Sequence, residues 1–328
     1  MSLDALINRP EQEPLWNRLL KSPTETLAKS LYTLHSSSTP SSSSSSTAEN
    51  QPQTPIHIVC ISDTHNTTPS LPDGDILIHA GDLTQSGSRR ELEAQIAWLD
   101  AQPHQFKVVV AGNHEICLDS EFRQSCSASG SKVQASVEGD KNGVEEPIDW
   151  KSLIYLQNTS TTVRIDSSRE LKIFGSPCTP KHGNWAFQYP RTQVGIWDEV
   201  GIPEDTDILI THGPPRAHLD LDFMGCEGLR NFLWRMERKP LLHVFGHVHG
   251  GYGKEVVCWN GFQRAYEGVL DGRSAFERWV WLAMLLWYGI IGILTEWSGA
   301  GGKTIIVNAA AVGGARDEKR RKAICVDI

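Results

Sequence analysis

A short apolar run that recurs along the chain, each time ending in polar residues, is the feature that most constrains the fold. Runs of four to eight residues rich in valine and isoleucine are typical of buried β-strands. Residues 56–61 form the first of five such runs, and a carboxylate and an imidazole follow it closely. The polar residues that follow the five runs are Asp63 and His65, Asp82, Asn113 and His114, His212, and His247 and His249. The chain therefore combines strands for an apolar core with polar residues at the end of each strand.

The order of these runs indicates an α/β fold. Residues 89–99 lie between two of the strands and place leucine and isoleucine on one helical face. Strands that alternate with helices are typical of α/β domains, in which ligands bind beyond the carboxyl ends of the strands. Further apolar runs at 160–164, 171–177 and 303–310 predict additional strands and a second sheet.

The repeated polar residues have the composition of a metal site. One histidine after a strand is most often structural, but five such strand ends together are difficult to assign to chance. In the Asp-x-His and His-x-His spacings, residues i and i+2 of an extended chain point the same way and can reach one ion. Carboxylate, amide and imidazole donors without cysteine favour Mn, Fe, Zn or Mg. Seven ligands exceed the needs of one octahedral ion with open water positions, so two ions about 3.5–4 Å apart with a bridging carboxylate fit better.

Five sequence blocks contain these residues. They are Asp63-x-His65, Gly81-Asp82, Gly112–Glu115, Thr211–Pro215 and Gly246–His249. In order and spacing they resemble the calcineurin-like metallophosphoesterase superfamily. Residues 74–84, 174–187 and 243–253 further resemble its metallophosphoesterase-domain-containing branch, which is related to class III cyclic-nucleotide phosphodiesterases. The resemblance covers roughly residues 55–311 and implies an α/β fold, a two-sheet β-sandwich flanked by helices in four layers.

The resemblance also implies a set of site residues. It assigns one metal ion to Asp63, His65, Asp82 and His249. It assigns a second ion to Asp82, Asn113, His212 and His247. Asp82 would then bridge the two ions, and His114 would lie near the substrate rather than on a metal. Asp82 and His114 are accordingly the predicted catalytic residues.

The implied reaction is hydrolysis of a phosphoester. Two divalent ions outweigh the charges of Asp63, Asp82 and a bridging hydroxide, so the site stays positive and attracts a phosphate group. The bridging hydroxide would attack phosphorus, and a protonated His114 would assist the leaving group. We therefore expect a phosphodiesterase of small or nucleotide-like substrates that requires two divalent metal ions, whether Mn, Fe, Zn or Mg.

Two alternatives remain open. The protein could be a phosphomonoesterase or a protein phosphatase, because the ligand blocks say little about the substrate. It could also be a scaffold that keeps metals for stability with weak or no catalysis, although all the ligand positions are filled. The formal net charge of -8 and the pI near 5.8 argue against a nucleic-acid polymer as partner. The expected partner is thus the phosphoester substrate.

An aromatic cluster overlaps the end of the branch motif at residues 174–187. Trp185, Phe187 and Tyr189 could stack on the base of a substrate, but aromatic residues more often fill a core or a lid. Both roles remain open from the sequence.

The chain organisation is predicted from composition. Residues 1–54 are a leader with a serine-rich, disordered linker, and residues 55–328 are the metallophosphoesterase domain with insertions near 125–146 and 270–300. We expect the linker to prevent the helices before it from docking rigidly. The seven cysteines contain no C-x-x-C pattern, and the N-terminus has no signal-peptide pattern, so we expect a cytoplasmic protein.

The segment 279–294 is uncharged and apolar on every face. It is shorter than the roughly 20 residues that usually span a membrane. It could be a buried helix, a helix covered by a second subunit, or a helix that dips into one leaflet. We expect residues 279–297 to make a peripheral membrane or homo-oligomer contact, because tryptophans within them suit the headgroup boundary. Membrane association is therefore the alternative to a freely cytoplasmic protein.

Overall fold

The structure is a computed structural model that describes residues 14–38, 54–128, 147–295, 302–314 and 318–328. Most of the predicted serine-rich linker, most of the predicted 125–146 insertion and Trp297 lie outside the described residues. Apart from the first eight residues, the chain divides into two compact units. The first unit contains Ile56–Lys254 and Ile306–Ile328, and the second contains Arg9–Pro55 and Glu255–Ile305.

The described residues form helices and short strands. The α-helices are α1 (Leu15–Lys21), α2 (Pro23–Ser38), α3 (Arg89–Asp100), α4 (Ser120–Ala128), α5 (Ile196–Val200), α6 (Glu227–Arg235), α7 (Gly261–Asp271) and α8 (Ala275–Thr295). The strands are β1 (His57–Ile61), β2 (Ile76–Ala80), β3 (Phe106–Val110), β4 (Ile154–Leu156), β5 (Thr159–Arg164), β6 (Glu170–Ser176), β7 (Thr179–Pro180), β8 (Gln188–Tyr189), β9 (Ile208–Thr211), β10 (Leu242–Phe245), β11 (Gly253–Cys258), β12 (Lys303–Asn308), β13 (Val312–Gly313), β14 (Lys319–Arg320) and β15 (Ile324–Asp327).

Two large sheets carry the first unit. One has the order β15-β1-β2-β3-β4, in which β1 to β4 are parallel and β15 is antiparallel to β1. The other has the order β11-β12-β10-β9-β6-β5, with β6, β9 and β10 parallel. The chain passes between the two units along β11 and β12. The predicted α/β fold with two sheets flanked by helices is confirmed.

The first sheet is covered by α3. Leu92, Ile96 and Leu99 form one face of this helix and pack with Leu77 and Val109 in a single buried cluster. The helix begins at a capping box, in which Ser88 accepts from the backbone of Glu91 while the Glu91 side chain accepts from Ser88. Parallel strands that are buried on both faces have continuous apolar sequences, which explains the apolar runs at these strands.

The two sheets meet closely at a glycine. A side chain at Gly175 of β6 would stand 2.5 Å from Cβ of Leu156 and 2.8 Å from Cγ2 of Val110. Any larger residue there would push the second sheet away from β3 and β4. This close contact brings the strand ends of both sheets to one common edge.

The second unit is a helical cluster. Helix α2 packs on α7 and α8 through Ala28, with Leu31 and Tyr32 beside it. Tyr32 stacks on Tyr266 at 4.0 Å and donates a hydrogen bond to Gln263. The expectation that the leader does not dock is therefore wrong, because α2 carries its own apolar stripe. The division of the chain at residue 54 stays a prediction.

Helix α8 contains the predicted apolar segment. Leu282 and Leu285 are buried against α7, whereas Trp279 and Trp287 are 52% and 62% exposed. The helix is thus neither wholly buried nor wholly exposed. Within the described ranges, no helix combines the length and the apolar character needed to cross a membrane.

Candidate metal centre

The five predicted strand ends supply one cluster of donors in the first unit. Three of the ends belong to the first sheet and two to the second. Donor atoms within 4.8 Å of one another form three groups. The groups are Asp63, His65 and His249; His65, Asp82 and His114; and Asp82, His212 and His247. Asp82 and His65 each belong to two groups, so the donors form one continuous site.

The two carboxylates are fully enclosed. Asp63 accepts hydrogen bonds from the backbone N–H of His247 at 3.0 Å and lies 3.2 Å from Nε2 of His249. Asp82 accepts from the backbone N–H of His114 at 2.8 Å through Oδ1. Its Oδ2 lies 3.2 Å from Nε2 of His212. One carboxylate thus faces β10 and the other faces β9.

Asn113 completes the donor set at the end of β3. Its Oδ1 lies 3.1 Å from Nε2 of His212, which also faces Asp82. A carboxylate oxygen, an amide oxygen and an imidazole nitrogen therefore converge on one point. All seven sequence-predicted ligands lie at this edge, although their assignment to individual ions stays a prediction.

Backbone carbonyls fix the orientation of two imidazoles. Nδ1 of His65 lies 3.1 Å from the carbonyl of Thr84, and Nδ1 of His212 lies 2.8 Å from the carbonyl of Ala80. A carbonyl can only accept, so Nδ1 carries a proton in both rings, and Nε2 is the nitrogen left to bind a metal ion. This is the tautomer that a metal-binding histidine requires.

The donor set fits divalent cations. It contains carboxylate, amide and imidazole groups but no thiolate, which is the set expected for Mn, Fe, Zn or Mg. The backbone also comes close to the donors: a side chain at Gly112 would collide with Asp82, and one at Gly246 would collide with Asp63. Only glycine fits at these two positions without moving a carboxylate.

The electrostatics set the charges of the buried donors: the carboxylates are ionised, His247 is neutral, and the protonated form of His212 is favoured beside Asp82. Burial raises the pKa of Asp82, but the neighbouring His212 and His114 hold it well below its usual range. The pKa of Asp63 is likewise lowered by His249 against the effect of burial. Burial lowers the pKa of His247 to about 3, so its imidazole is neutral. Against the effect of burial, Asp82 raises the pKa of His212 to about 9.

Four of the predicted ligands adopt a left-handed backbone. The φ angles are 50° at Asp63, 42° at His65, 53° at Asp82 and 64° at His247. Residues other than glycine rarely adopt this conformation, and each instance costs on the order of 1–3 kcal/mol. The turn of β1 is held by hydrogen bonds from the N–H of Asp63 to Gly81 and from the N–H of His65 to Asp82. The site thus rests on sharp turns that the surrounding sheets enforce.

Glu115 is a site residue that sequence reasoning did not assign a role. Its side chain is fully buried and accepts from the backbone N–H groups of Asp82, Thr84 and Gly112, at 2.9, 2.9 and 2.6 Å. It also accepts from the hydroxyl of Thr84 at 2.8 Å. Burial, and then Asp82, raise the pKa of this carboxyl group. One carboxylate therefore fastens the Asp82 turn to the Asn113 turn.

Asn308 has a comparable role at the end of β12. Its side-chain amide donates to the carbonyls of Leu219 and Val248, at 3.0 and 2.9 Å, and its oxygen accepts from Ala310. Val248 lies between the two histidines of the last block, so Asn308 holds that block in place.

His114 lies at the open side of the site. Its side chain is half-buried, and Nδ1 lies 2.8 Å from the carbonyl of Gln85. The ring stacks on Trp185 and meets His65 edge-on. One nitrogen of His114 is also within 4.8 Å of donor atoms on His65 and Asp82. His114 can therefore reach a group bound at the donors, as its predicted role requires.

Comparison with known proteins agrees with this geometry. A family model described as calcineurin-like phosphoesterase matches residues 56–251, which is more than half of the chain. "Metallophosphoesterase domain-containing protein 1" of Homo sapiens is 41% identical over 204 residues, 60% of this chain and 61% of that protein. "UPF0046 protein K07C11.7" of Caenorhabditis elegans is 38% identical over 205 residues, 60% of this chain and 65% of that protein.

A longer relative matches almost the whole chain. "Probable rhamnogalacturonate lyase C" of Emericella nidulans is 53% identical over 328 residues, which is 99% of this chain but 29% of that protein. This chain thus spans less than a third of that relative, and the lyase activity in its name is not carried over. Among solved structures, TT1561 of Thermus thermophilus aligns with 63% of this chain and 86% of its own, with 15% identity and a TM-score of 0.38. That likeness is too weak to support an argument about the fold.

The family match covers the five blocks that supply the donors. Residues 56–251 include every predicted ligand from Asp63 to His249. The resemblance drawn from the sequence motifs is confirmed. The chain belongs to the calcineurin-like phosphoesterase family.

Proposed function

We propose that this protein is a phosphoester hydrolase that requires two divalent cations and acts on phosphodiesters of small or nucleotide-like substrates. The observation that carries the proposal is the position of Asp82, which belongs to two adjoining groups of donor atoms. A carboxylate shared in this way suits a bridge between two ions. The family match supports the metal-dependent reaction, and the number of ions and the substrate class are our inference.

The residues divide between the two proposed cations as follows. One would be held by Asp63, His65, Asp82 and His249, and the other by Asp82, Asn113, His212 and His247. When bound, a pair of divalent cations offsets the charge of a phosphoryl group and supplies a nucleophile at neutral pH. The buried carboxylates and oriented imidazoles of this chain preorganise that environment, since few of their groups need to move.

His114 would serve the leaving group. The oxygen of a water molecule becomes bonded to phosphorus, and the bond from phosphorus to the leaving oxygen breaks with its electron pair on that oxygen. Nδ1 of His114 is engaged by the Gln85 carbonyl, so Nε2 is the nitrogen that can pass a proton to the leaving oxygen. The attacking water loses a proton to solvent, and His114 takes one back from solvent, so the proton balance is restored.

The proposal is tested with purified protein loaded separately with Mn²⁺, Fe²⁺, Zn²⁺ or Mg²⁺. We expect hydrolysis of bis(p-nitrophenyl) phosphate that a chelator abolishes and added metal restores. A panel that includes p-nitrophenyl phosphate and a phosphopeptide separates the phosphodiesterase from a phosphomonoesterase or a protein phosphatase. Protein that binds two metal ions but hydrolyses none of these compounds would refute the enzyme and leave the metal-stabilised scaffold.

The exposed side of α8 favours an additional contact. Phe276, Trp279, Trp287 and Ile290 recur at helical spacing and are each more than half exposed. We propose that this stripe contacts a membrane surface or a second copy of the chain. Liposome flotation and light scattering distinguish the two partners, and a monomer that does not bind liposomes would refute both. Cytoplasmic localisation stays a prediction.

A further inference from the structure

The imidazole of His114 is held between two aromatic rings. The indole of Trp185 stacks on it with ring centroids 4.3 Å apart and an angle of 22° between the planes. On another side, the ring of His65 meets it at 4.6 Å and 75°. The carbonyl of Gln85 accepts from Nδ1 at 2.8 Å. Three separate segments of the first unit thus contact one side chain.

The indole itself is fixed by its own loop. Trp185 lies between β7 and β8, and the next two residues anchor the loop to the segment that carries His114. The N–H of Ala186 donates to the carbonyl of Asn113 at 3.2 Å, and the N–H of Phe187 donates to the carboxylate of Asp119 at 2.7 Å. The loop that carries the indole is therefore joined to the segment that carries the imidazole.

The hydrogen bond and the stack restrain different motions of the imidazole. The bond to Gln85 selects which edge of the ring turns away from the site, but it leaves the ring plane free to tilt about that contact. A flat aromatic surface at van der Waals distance removes this tilt. A misplacement of about 1 Å in a catalytic group can cost roughly 100-fold in rate, so the ring plane matters for proton transfer.

We infer that Trp185 is a positioning residue for His114, which holds Nε2 toward the leaving group of the substrate. The inference rests on the proposed function, because it takes the role of His114 from there. It adds a residue outside the five blocks to the site. The indole face that stacks on His114 is not free to stack on a substrate base.

The test compares Trp185→Leu with Trp185→Phe on two diesters. Bis(p-nitrophenyl) phosphate has a good leaving group, and diphenyl phosphate has a poor one that needs protonation more. We expect Trp185→Leu to lower kcat on diphenyl phosphate by about 10- to 100-fold, with a much smaller loss on the activated diester and little change in KM. Trp185→Phe keeps a flat ring and should recover most of the loss. In the His114→Ala background, Trp185→Leu should cause no further loss, because the group it positions is gone.

An equal loss on both diesters, an additive loss with His114→Ala, or a change in KM alone would overturn the inference. Metal content and melting temperature of each variant identify a general loss of structure. Wild-type protein that hydrolyses neither diester would refute the proposed function and, with it, the catalytic part of this inference. The contact itself is read without activity, from the imidazole proton resonances of His114 in the Zn²⁺-loaded protein. Trp185→Leu should shift these resonances through loss of the indole ring current, and unchanged resonances would refute the contact.

Discussion

Glu115 allows a quantitative test of how the site is held together. Its Oε2 accepts from the N–H groups of Asp82 and Gly112, and its Oε1 accepts from the N–H and hydroxyl of Thr84. Glutamine in its place offers one acceptor oxygen instead of two. The cheaper orientation turns the amide NH₂ toward Thr84, whose hydroxyl can rotate and accept. One buried backbone N–H then loses its acceptor, which costs about 1–3 kcal/mol of unfolding free energy.

Alanine at the same position removes all four acceptor contacts. Three backbone N–H groups would lose their partner, so we expect Glu115→Ala to cost at least about 3 kcal/mol. Because the Asp82 and Asn113 turns are no longer fastened together, metal affinity should also fall, by about 10- to 100-fold. Urea unfolding measures the stability, and metal titration measures the affinity.

Glu91 provides the matched control. Its carboxylate also accepts four hydrogen bonds, from the backbone and hydroxyl of Ser86, the backbone of Ser88 and the amide of Asn66. It is only half-buried, so water can replace a lost acceptor. Glu91→Gln should cost about 1 kcal/mol or less and leave metal affinity unchanged. The reasoning is refuted if Glu115→Gln is no worse than Glu91→Gln, or if Glu115→Ala keeps wild-type metal affinity.

Three further perturbations test other parts of the site. Asp82→Asn should remove more bound metal than His114→Ala, measured by elemental analysis, because only Asp82 is the proposed bridge; equal losses would contradict this. Gly112→Ala should also release metal, since its Cβ would collide with Asp82. Full metal occupancy in this variant would contradict the close approach of Gly112 to Asp82. Burial lowers the pKa values of His79 and His243 to about 3 each, so the unfolded chain binds protons below pH 6.5 that the folded chain cannot. Stability should therefore fall as pH drops from about 6.5 toward 3, by up to about 1.4 kcal/mol per pH unit for each histidine, and urea unfolding of His243→Asn should show a shallower fall than the wild type.

The ligand positions could be predicted because they depend on local pattern. A buried strand requires a continuous apolar run, and the residue after it lies at the sheet edge whatever the rest of the chain does. The Asp-x-His and His-x-His spacings did point to the site, but the extended backbone assumed for them was wrong, because Asp63, His65 and His247 lie in left-handed turns. The left-handed turns at these residues were not predictable, because aspartate and histidine adopt this region more often than most residues but not regularly, and a neighbouring glycine such as Gly246 does not show which residue takes the positive φ.

The supporting residues could not be predicted, because their roles arise from distant segments. Glu115 is recognisable as part of a block, but its function depends on where the N–H groups of Asp82 and Gly112 point after the turns have formed. Asn308 contacts Leu219, 89 positions earlier in the chain. Trp185 reaches His114 only because β7 and β8 return the chain to the end of β3. A sequence pattern records the type of these residues and not the groups that they meet.

Helix α2 in the second unit is another element whose role depends on a distant segment, since Tyr32 donates to Gln263 across 231 positions of sequence. Ala28 of this helix is fully buried, whereas Leu27 beside it is 41% exposed. We expect Ala28→Asp to destabilise the second unit and Leu27→Asp to have little effect, because only the first places an unpaired charge in an apolar contact. The loss cannot exceed the free energy with which α2 docks, since the chain can release the helix instead of burying the charge.

Near-ultraviolet circular dichroism follows this docking through the stacked rings of Tyr32 and Tyr266, and trypsin cleavage at Lys29 follows release of the helix. Ala28→Asp should lose the aromatic signal and gain cleavage at a lower temperature than Leu27→Asp. Diester hydrolysis serves as the separate readout of the first unit, which contains every predicted ligand, and it should persist in both variants. If Ala28→Asp melts and is cleaved as Leu27→Asp is, α2 contributes no docking energy, and the leader does not dock, as its composition predicts.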